Sequence, residues 1–162
     1  MLFRSWLAPR LHVPVIADAV SAAKAGRLRS ALPWLRVLKP NAIEAEALTG
    51  IPVTDEVSAW QAARSLVDAG VGRVFITLGE GGVCCGDALQ CLSLPCPTAR
   101  LVNATGAGDA FTAALVWAQM RGMDLVESTR AGIAAASLTV ESPEAVSRSI
   151  TPQVIEQRMQ SL

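Results

Sequence analysis

The chain has 162 residues, of which 51% are hydrophobic and 17% charged, and its 14 basic and 14 acidic residues cancel at neutral pH. This composition predicts a packed domain or a large piece of one, and it excludes a disordered chain. Without a charged run, a nucleic-acid or anionic-membrane surface is excluded too. Apolar runs end well short of the ~20 residues that a membrane helix needs. We expect a cytoplasmic protein.

The first half of the chain alternates apolar strand patterns with helical ones. Residues 13–18 predict a buried strand, and residues 22–35 a helix that Pro33 breaks. A second strand at 36–40 leads into a helix that opens at Asn41 and is closed by Gly50. Residues 54–70 have apolar residues at helical spacing.

The second half continues this alternation. Residues 73–79 are the clearest strand, and 82–94, with Gly86-Asp87 in the middle, predict a β-hairpin. Three helices follow, near 108–121, 125–140 and 152–160. Together the elements predict an α/β fold with a mostly parallel sheet, flanked by helices and carrying the hairpin at one edge.

The stretch LVNATGAGDAF, residues 101–111, places Gly106, Ala107 and Gly108 before Asp109 and an amphipathic helix. A helix N-terminus attracts anions, and phosphate oxygens approach its N–H groups only where side chains are small. Asp109 would then serve as a general base beside an anion hole. The alternative is a tight turn for close packing, with Asp109 favourable in the first helical turn.

Two familiar nucleotide motifs do not match this loop. A P-loop requires Gly-Lys-Ser/Thr, which is absent after residue 108. A dinucleotide fingerprint requires a third glycine where Phe111 stands, which makes a NAD-dependent oxidoreductase a weak hypothesis.

Asn41 and Glu44 lie three residues apart at the start of a predicted helix. This spacing is typical of a capping box, in which both side chains satisfy backbone donors. A magnesium site is the functional alternative, because Mg²⁺ keeps several waters and takes one or two carboxylates. The two interpretations are compatible.

Two further segments follow strands. Thr77 ends a buried strand, and Gly79 and Gly82 come directly after it, where α/β sheets bind ligands. A hydroxyl with bare backbone suits a nucleotide, although a plain turn has the same composition. Asp18 ends the first strand, and Lys24, about one turn into the next helix, could reach a phosphate.

Taken in order, NATGAGDAF, PNAIEAEALTG and ITLGEGGV resemble three motifs of the ribokinase-like (PfkB) carbohydrate and nucleoside kinase family. The resemblance covers residues 13–145 and matches the C-terminal half of that family's single kinase domain, while residues 1–12 match poorly. It implies a ribokinase-like fold, with the N-terminal half and its lid missing.

The resemblance also implies transfer of the ATP γ-phosphoryl group to a sugar or nucleoside hydroxyl, with Mg²⁺. Its implied site residues are the base Asp109, the anion hole Gly106, Ala107 and Gly108, the metal-placing Asn41 and Glu44, and the nucleotide contacts Thr77, Gly79 and Gly82. Within the family, VPVIADAVSAAKAGRL and AASLTVESPEAVS look most like pseudouridine kinases, which implies a phosphate or substrate contact for Lys24.

One position departs from the family pattern. Asn103 stands where the family has Asp, at a place that helps to hold a monovalent cation near the loop. The resemblance thus implies ATP and Mg²⁺ as cofactors and leaves a requirement for potassium open.

The family's N-terminal half carries the first strands of the sheet, a sugar-binding Gly-Gly motif and a lid. Without them we expect an exposed apolar face beside the first strand, and poor solubility or association with a complementary N-terminal half or a second copy. Two hypotheses follow: a kinase that is active when supplied with that half, and a catalytically inactive nucleotide-binding or partner-binding fragment.

Overall fold

The computed structural model describes residues 6–98, 101–147 and 149–162. The chain divides into two compact units, Met1–Ser93 and Leu94–Leu162. Among the helices of the described residues, none is long and apolar enough to cross a membrane.

The first unit is built on a five-stranded sheet with the order β1-β2-β3-β4-β5. The strands are β1 (Ile16–Asp18), β2 (Val37–Lys39), β3 (Arg73–Thr77), β4 (Val83–Asp87) and β5 (Cys91–Leu94), whose last residue begins the second unit. β1, β2 and β3 pair in parallel, and β3 pairs antiparallel with β4. This confirms the predicted sheet with its hairpin at one edge.

The turn of the hairpin lies two positions later than the Gly86-Asp87 pair predicts, with residues 88 and 89 at its centre. Gly86 and Asp87 are the last two residues of β4, and the Asp87 N–H donates to the carbonyl of Gln90 at 2.9 Å. The Asp87 carboxylate accepts the N–H groups of Leu89 and Gln90 at 2.9 and 3.1 Å. The aspartate side chain therefore forms the turn, and no glycine is needed inside it.

The helices of the first unit are α1 (Ala22–Ala25), α2 (Ala42–Thr49) and α3 (Glu56–Asp68), and a short 3-10 helix spans Ala8–Arg10. A second 3-10 helix, Gly26–Trp34, follows α1, so the prediction of one helix broken at Pro33 is wrong in its geometry. The 3-10 helix buries Leu28 and Leu32 against the core and includes Pro33 in its last turn. The central strand β3 has no solvent-exposed area at Val74, Phe75 and Ile76.

β1 is an edge strand of the sheet. Its own residues are half-buried, since they line a shallow apolar groove together with Leu7, Leu11 and Leu28. Val13 and Val20, which flank the strand, are 63% and 67% exposed. Apolar surface at this edge is therefore partly covered and partly open.

The second unit contains three helices, α4 (Ala107–Arg121), α5 (Leu125–Val140) and α6 (Pro152–Met159), close to the predicted positions. Small residues form much of its buried core: Ala114, Ala118, Ala131, Ala134, Ala135 and, as the larger partner, Ile155. Small side chains let helix backbones approach closely. At one contact the ring of Phe111 lies directly against Gly132 of α5, where a Cβ would meet the ring at 2.5 Å.

Candidate active site

The anion hole predicted at 106–108 forms the start of α4. Gly106 is the N-cap residue, with φ +86°, and no side chain of the described residues caps the helix. Gly108 and Asp109 are exposed, and Asp109 lies in the first turn. The start of α4 therefore combines small residues, the positive end of the helix dipole and one solvent-exposed carboxylate.

Gly106 also has a packing role. Its positive φ favours glycine, and a Cβ at this position would overlap the carbonyl oxygen of Ala145. The tight-turn interpretation thus holds for Gly106. It does not account for Gly108, which is exposed.

The loop before α4 is fixed by Asn103. Its Oδ1 accepts the N–H of Thr105 at 2.9 Å, and its Nδ2 donates to the carbonyl of Pro143 at 3.3 Å. The backbone N–H groups of Val102 and Asn103 both donate to the carbonyl of Val140, at 2.8 and 3.1 Å. These bonds join the loop to the end of α5 and the segment after it.

In the first unit, Asn41 and Glu44 form the predicted capping box of α2. The Asn41 side chain accepts the Glu44 N–H, and Glu44 Oε2 accepts the Asn41 N–H, both at 2.9 Å. Glu44 is only 4% exposed. Glu44 therefore lies buried at the helix start, and its carboxylate keeps acceptor capacity beyond the one capping bond.

Thr77 is brought next to this helix start. Its N–H donates to the carbonyl of Pro40 at 3.0 Å, and an isolated parallel bridge pairs it with Asn41. The following turn contains Gly79 and Gly82 at φ +62° and +93°, closed by a 2.9 Å bond from the Leu78 N–H to the Gly82 carbonyl. Asn41, Glu44 and the glycine turn thus meet at the carboxyl ends of β2 and β3.

Lys24 is exposed on α1, a helix of four residues. Another lysine, Lys39, was not predicted as a site residue and is the last residue of β2. Its Nζ lies 2.9 Å from Asp18 Oδ2, and its side chain is 6% exposed. Asp18 and Lys39 each end a strand, and the parallel register pairs them directly. Adjacent strand ends of opposite charge are a pattern from which this ion pair could have been predicted.

Donor chemistry limits the metal sites available. Among the described residues, no group of three or more His, Cys, Asp and Glu side chains could hold a metal ion. In the first unit, Glu44 and Asn41 supply oxygen atoms that already take part in the capping box. Such a donor set fits Mg²⁺ only through the waters that this ion retains.

Residues 5–152 match the family described as pfkB family carbohydrate kinase. The chain therefore belongs to this family, and its fold is ribokinase-like.

Three similar proteins illustrate the range of the family. The chain is 36% identical to pseudouridine kinase of Escherichia coli over 121 residues, which is 74% of this chain and 38% of that one. It is 35% identical to ribokinase of Haemophilus influenzae over 122 residues, 75% and 40% of the two chains. The structure of Arabidopsis thaliana ribokinase with ribose and ATP matches with a TM-score of 0.83 and 28% identity, over 97% of this chain and 52% of that one.

The chain thus spans about half of the ribokinase structure and 38–40% of the two curated relatives. Their names differ in the acceptor, so the family alone does not specify a substrate.

Proposed function

We propose that this chain carries the phosphoryl-transfer residues of an ATP-dependent carbohydrate or nucleoside kinase, with pseudouridine as the acceptor and pseudouridine 5′-phosphate as the product. One observation carries the proposal. The start of α4 combines an uncapped helix N-terminus with an exposed carboxylate in its first turn, at Asp109. Family membership supports the same assignment.

The chemistry would divide between a proton acceptor and an anion hole. Asp109 would take the proton of the acceptor hydroxyl as that oxygen attacks the γ-phosphorus of ATP, while the bond from this phosphorus to the β–γ bridging oxygen breaks and ADP leaves. The N–H groups of Ala107 and Gly108, at the positive end of α4, would stabilise negative charge on the transferred group. Such placement is most of what phosphoryl transfer requires of a protein.

For the first unit, taken by itself, we propose nucleotide and metal contacts. Thr77, Gly79 and Gly82 supply a hydroxyl and bare backbone beyond the end of β3, and the exposed Lys24 supplies a cation for a phosphate. Asn41 and Glu44 would hold Mg²⁺ through its waters, and this ion would neutralise phosphate charge when bound.

Pseudouridine is proposed as acceptor because its kinase in Escherichia coli is among the relatives of this chain and because the VSAAK and TVES segments resemble pseudouridine kinases. Ribose is the competing acceptor, since two of the compared proteins are ribokinases.

Product detection by mass spectrometry tests the proposal. The chain is incubated with ATP, Mg²⁺ and each acceptor in turn: pseudouridine, ribose and adenosine. We expect phosphorylated pseudouridine, with Asp109→Asn reducing its rate about 10²–10⁴-fold. Asp124→Asn is the matched control, because asparagine caps a helix as well as aspartate does. Equal loss in both variants, or product unaffected by Asp109→Asn, would contradict the role of Asp109.

A second candidate is a catalytically inactive fragment that binds a nucleotide or a partner chain. It is favoured by the edge position of β1 and by the exposed Val13 and Val20 beside it. Under this hypothesis the folded chain yields no product with any acceptor, and sedimentation shows association with itself or with a co-expressed N-terminal half of a relative. The kinase proposal predicts product from the chain or from that mixture.

A further inference from the structure

We infer that the hydrogen bonds of Asn103 take the place of a monovalent cation beside the anion hole, so that this loop is held without potassium. The inference rests on the proposed function, because the loop matters for catalysis only if Gly106, Ala107 and Gly108 bind a phosphoryl group. Its evidence is separate, however, and consists of the contacts around Asn103.

The side chain of Asn103 bridges two segments. Oδ1 accepts the Thr105 N–H at 2.9 Å, and Nδ2 donates to the Pro143 carbonyl at 3.3 Å. The partners fix the orientation of the amide, because a backbone N–H requires the oxygen and a carbonyl requires the nitrogen. We call this pair of bonds the Asn103 bridge.

Three oxygen atoms around the loop, Asn103 Oδ1 and the carbonyl oxygens of Val140 and Pro143, accept N–H donors. The Val140 carbonyl accepts two of them, from Val102 at 2.8 Å and Asn103 at 3.1 Å, and the Pro143 carbonyl accepts the amide of Asn103. A hard cation needs several oxygen atoms turned toward it. Asn103 also brings no negative charge. These three oxygen atoms, which already accept N–H groups and carry no charge, therefore do not fit the coordination of a cation.

A carboxylate at position 103 could not donate to the Pro143 carbonyl and would favour a bound cation. Aspartate has the same shape as asparagine but only acceptors, so its second oxygen would face the Pro143 carbonyl without a proton between them. Two acceptors at that distance repel unless a cation lies between them. Asparagine supplies the missing positive partner as an N–H group.

The bridge also positions the anion hole. The segment that it fixes contains Ala145, whose carbonyl oxygen lies directly against Gly106. If the bridge opened, the segment at 141–147 could move away and Gly106 would lose this contact. Asn103 is thus a positioning residue for the start of α4.

Thermal unfolding tests the inference without relying on kinase activity. The melting temperature of the chain is measured in potassium, sodium and tetramethylammonium chloride at equal ionic strength. We expect the wild-type chain to show the same temperature in all three within about 1 °C. Asn103→Asp is expected to melt about 3 °C lower in tetramethylammonium, and to recover part of that loss in potassium.

Two outcomes would overturn it. A saturable rise of the wild-type melting temperature that is specific to potassium would mean that a cation binds this loop. Equal stability of wild type and Asn103→Asp in every salt would mean that the Nδ2 bond does not hold the loop. If Asn103→Asp does not fold, the wild-type comparison still decides. If the chain shows the expected melting temperatures in the three salts but no kinase activity, the proposed function is contradicted and the inference about Asn103 is supported.

Discussion

The two long helices of the second unit begin in opposite ways. α5 starts with a complete capping box, in which Asp124 Oδ1 accepts the Glu127 N–H at 2.8 Å and Glu127 Oε2 accepts the Asp124 N–H at 2.9 Å. α4 starts at Gly106, with φ +86° and no side-chain cap. The start of α5 is therefore capped by its own side chains, whereas in α4 no side chain caps the start and the Ala107 N–H makes a long 3.4 Å bond to the Ala104 carbonyl.

An uncapped start has a cost, since a missing cap destabilises a helix by about 1 kcal/mol. In α4 the cost is offset by packing a few residues further on, where Phe111 is 2% exposed and lies against Gly132. Asp109 adds a favourable interaction with the helix dipole. At α4, packing and loop contacts therefore stabilise a helix start that no side chain caps, and we propose that its N–H groups bind phosphate.

The largest effect is expected from Gly106→Ala. A Cβ there would overlap the Ala145 carbonyl oxygen, and the positive φ adds strain. We expect the free energy of unfolding to fall by about 3 kcal/mol, measured by urea denaturation. Gly122→Ala is the matched control, because Gly122 has φ +70° but none of the described residues brings a neighbouring atom within 4 Å of its Cβ position. If the two variants lost the same free energy of unfolding, the close contact with the Ala145 carbonyl would not explain the effect of Gly106→Ala.

The packing that offsets the missing cap is tested by Gly132→Ala. The new methyl group would meet the Phe111 ring at 2.5 Å, so we expect a loss of about 2 kcal/mol in the free energy of unfolding. The double variant Gly132→Ala, Phe111→Leu should recover part of this loss, because leucine leaves room for the methyl group. Additive losses in the double variant would show that the two positions do not interact.

Removing the cap of α5 should have a smaller effect. Asp124→Ala eliminates the bond to the Glu127 N–H, and we expect the free energy of unfolding to fall by about 1 kcal/mol. Phosphoryl transfer should be unchanged, since Asp124 belongs to the capped start. A loss of activity with intact stability would contradict the division between the two helix starts.

The smallest effect concerns the far end of α5. Arg158 donates to both carboxylate oxygens of Glu141, at 3.1 and 2.8 Å, and this hydrogen bonding holds the pKa of Glu141 below its ordinary value. A carboxyl whose pKa is lower in the folded state stabilises the fold above its unfolded pKa. That contribution disappears as the pH falls through the folded pKa.

Glu141→Gln should therefore lower stability by less than about 1 kcal/mol near pH 7, because the pair is partly exposed. The difference from wild type should vanish in acid, as followed by thermal unfolding across pH. A difference that grows in acid would contradict the assigned sign.

Local patterns predicted much of this fold. The bounds of α5 agree with the predicted 125–140, because Asp124 and Glu127 mark its start and apolar periodicity continues to Val140. The strands are shorter than predicted at 13–18, where β1 has three residues. Apolar composition indicates the approximate position of a strand, but pairing with β2 decides which residues form the strand's hydrogen bonds.

The parts of the candidate site that were predictable are those in which a short sequence motif forms the start of a single helix. The capping box of Asn41 and Glu44 is present as its spacing indicates. The Lys39–Asp18 ion pair and the contact between Asn103 and Pro143 were not predicted. The ion pair depends on strand register, and the Asn103 contact joins residues forty positions apart. The ion pair is indicated only once the two strands are known to be neighbours, and the Asn103 contact has no local signature in the sequence.

The central claim is that the start of α4 binds phosphate oxygens and the start of α5 does not. Backbone amide chemical shifts, followed by NMR while Mg²⁺ and ATP are titrated, test it directly. We expect saturable shifts at Ala107, Gly108 and Asp109, and none of that size at Leu125, Val126 and Glu127. Shifts confined to the capped start, or equal at both helices, would contradict it.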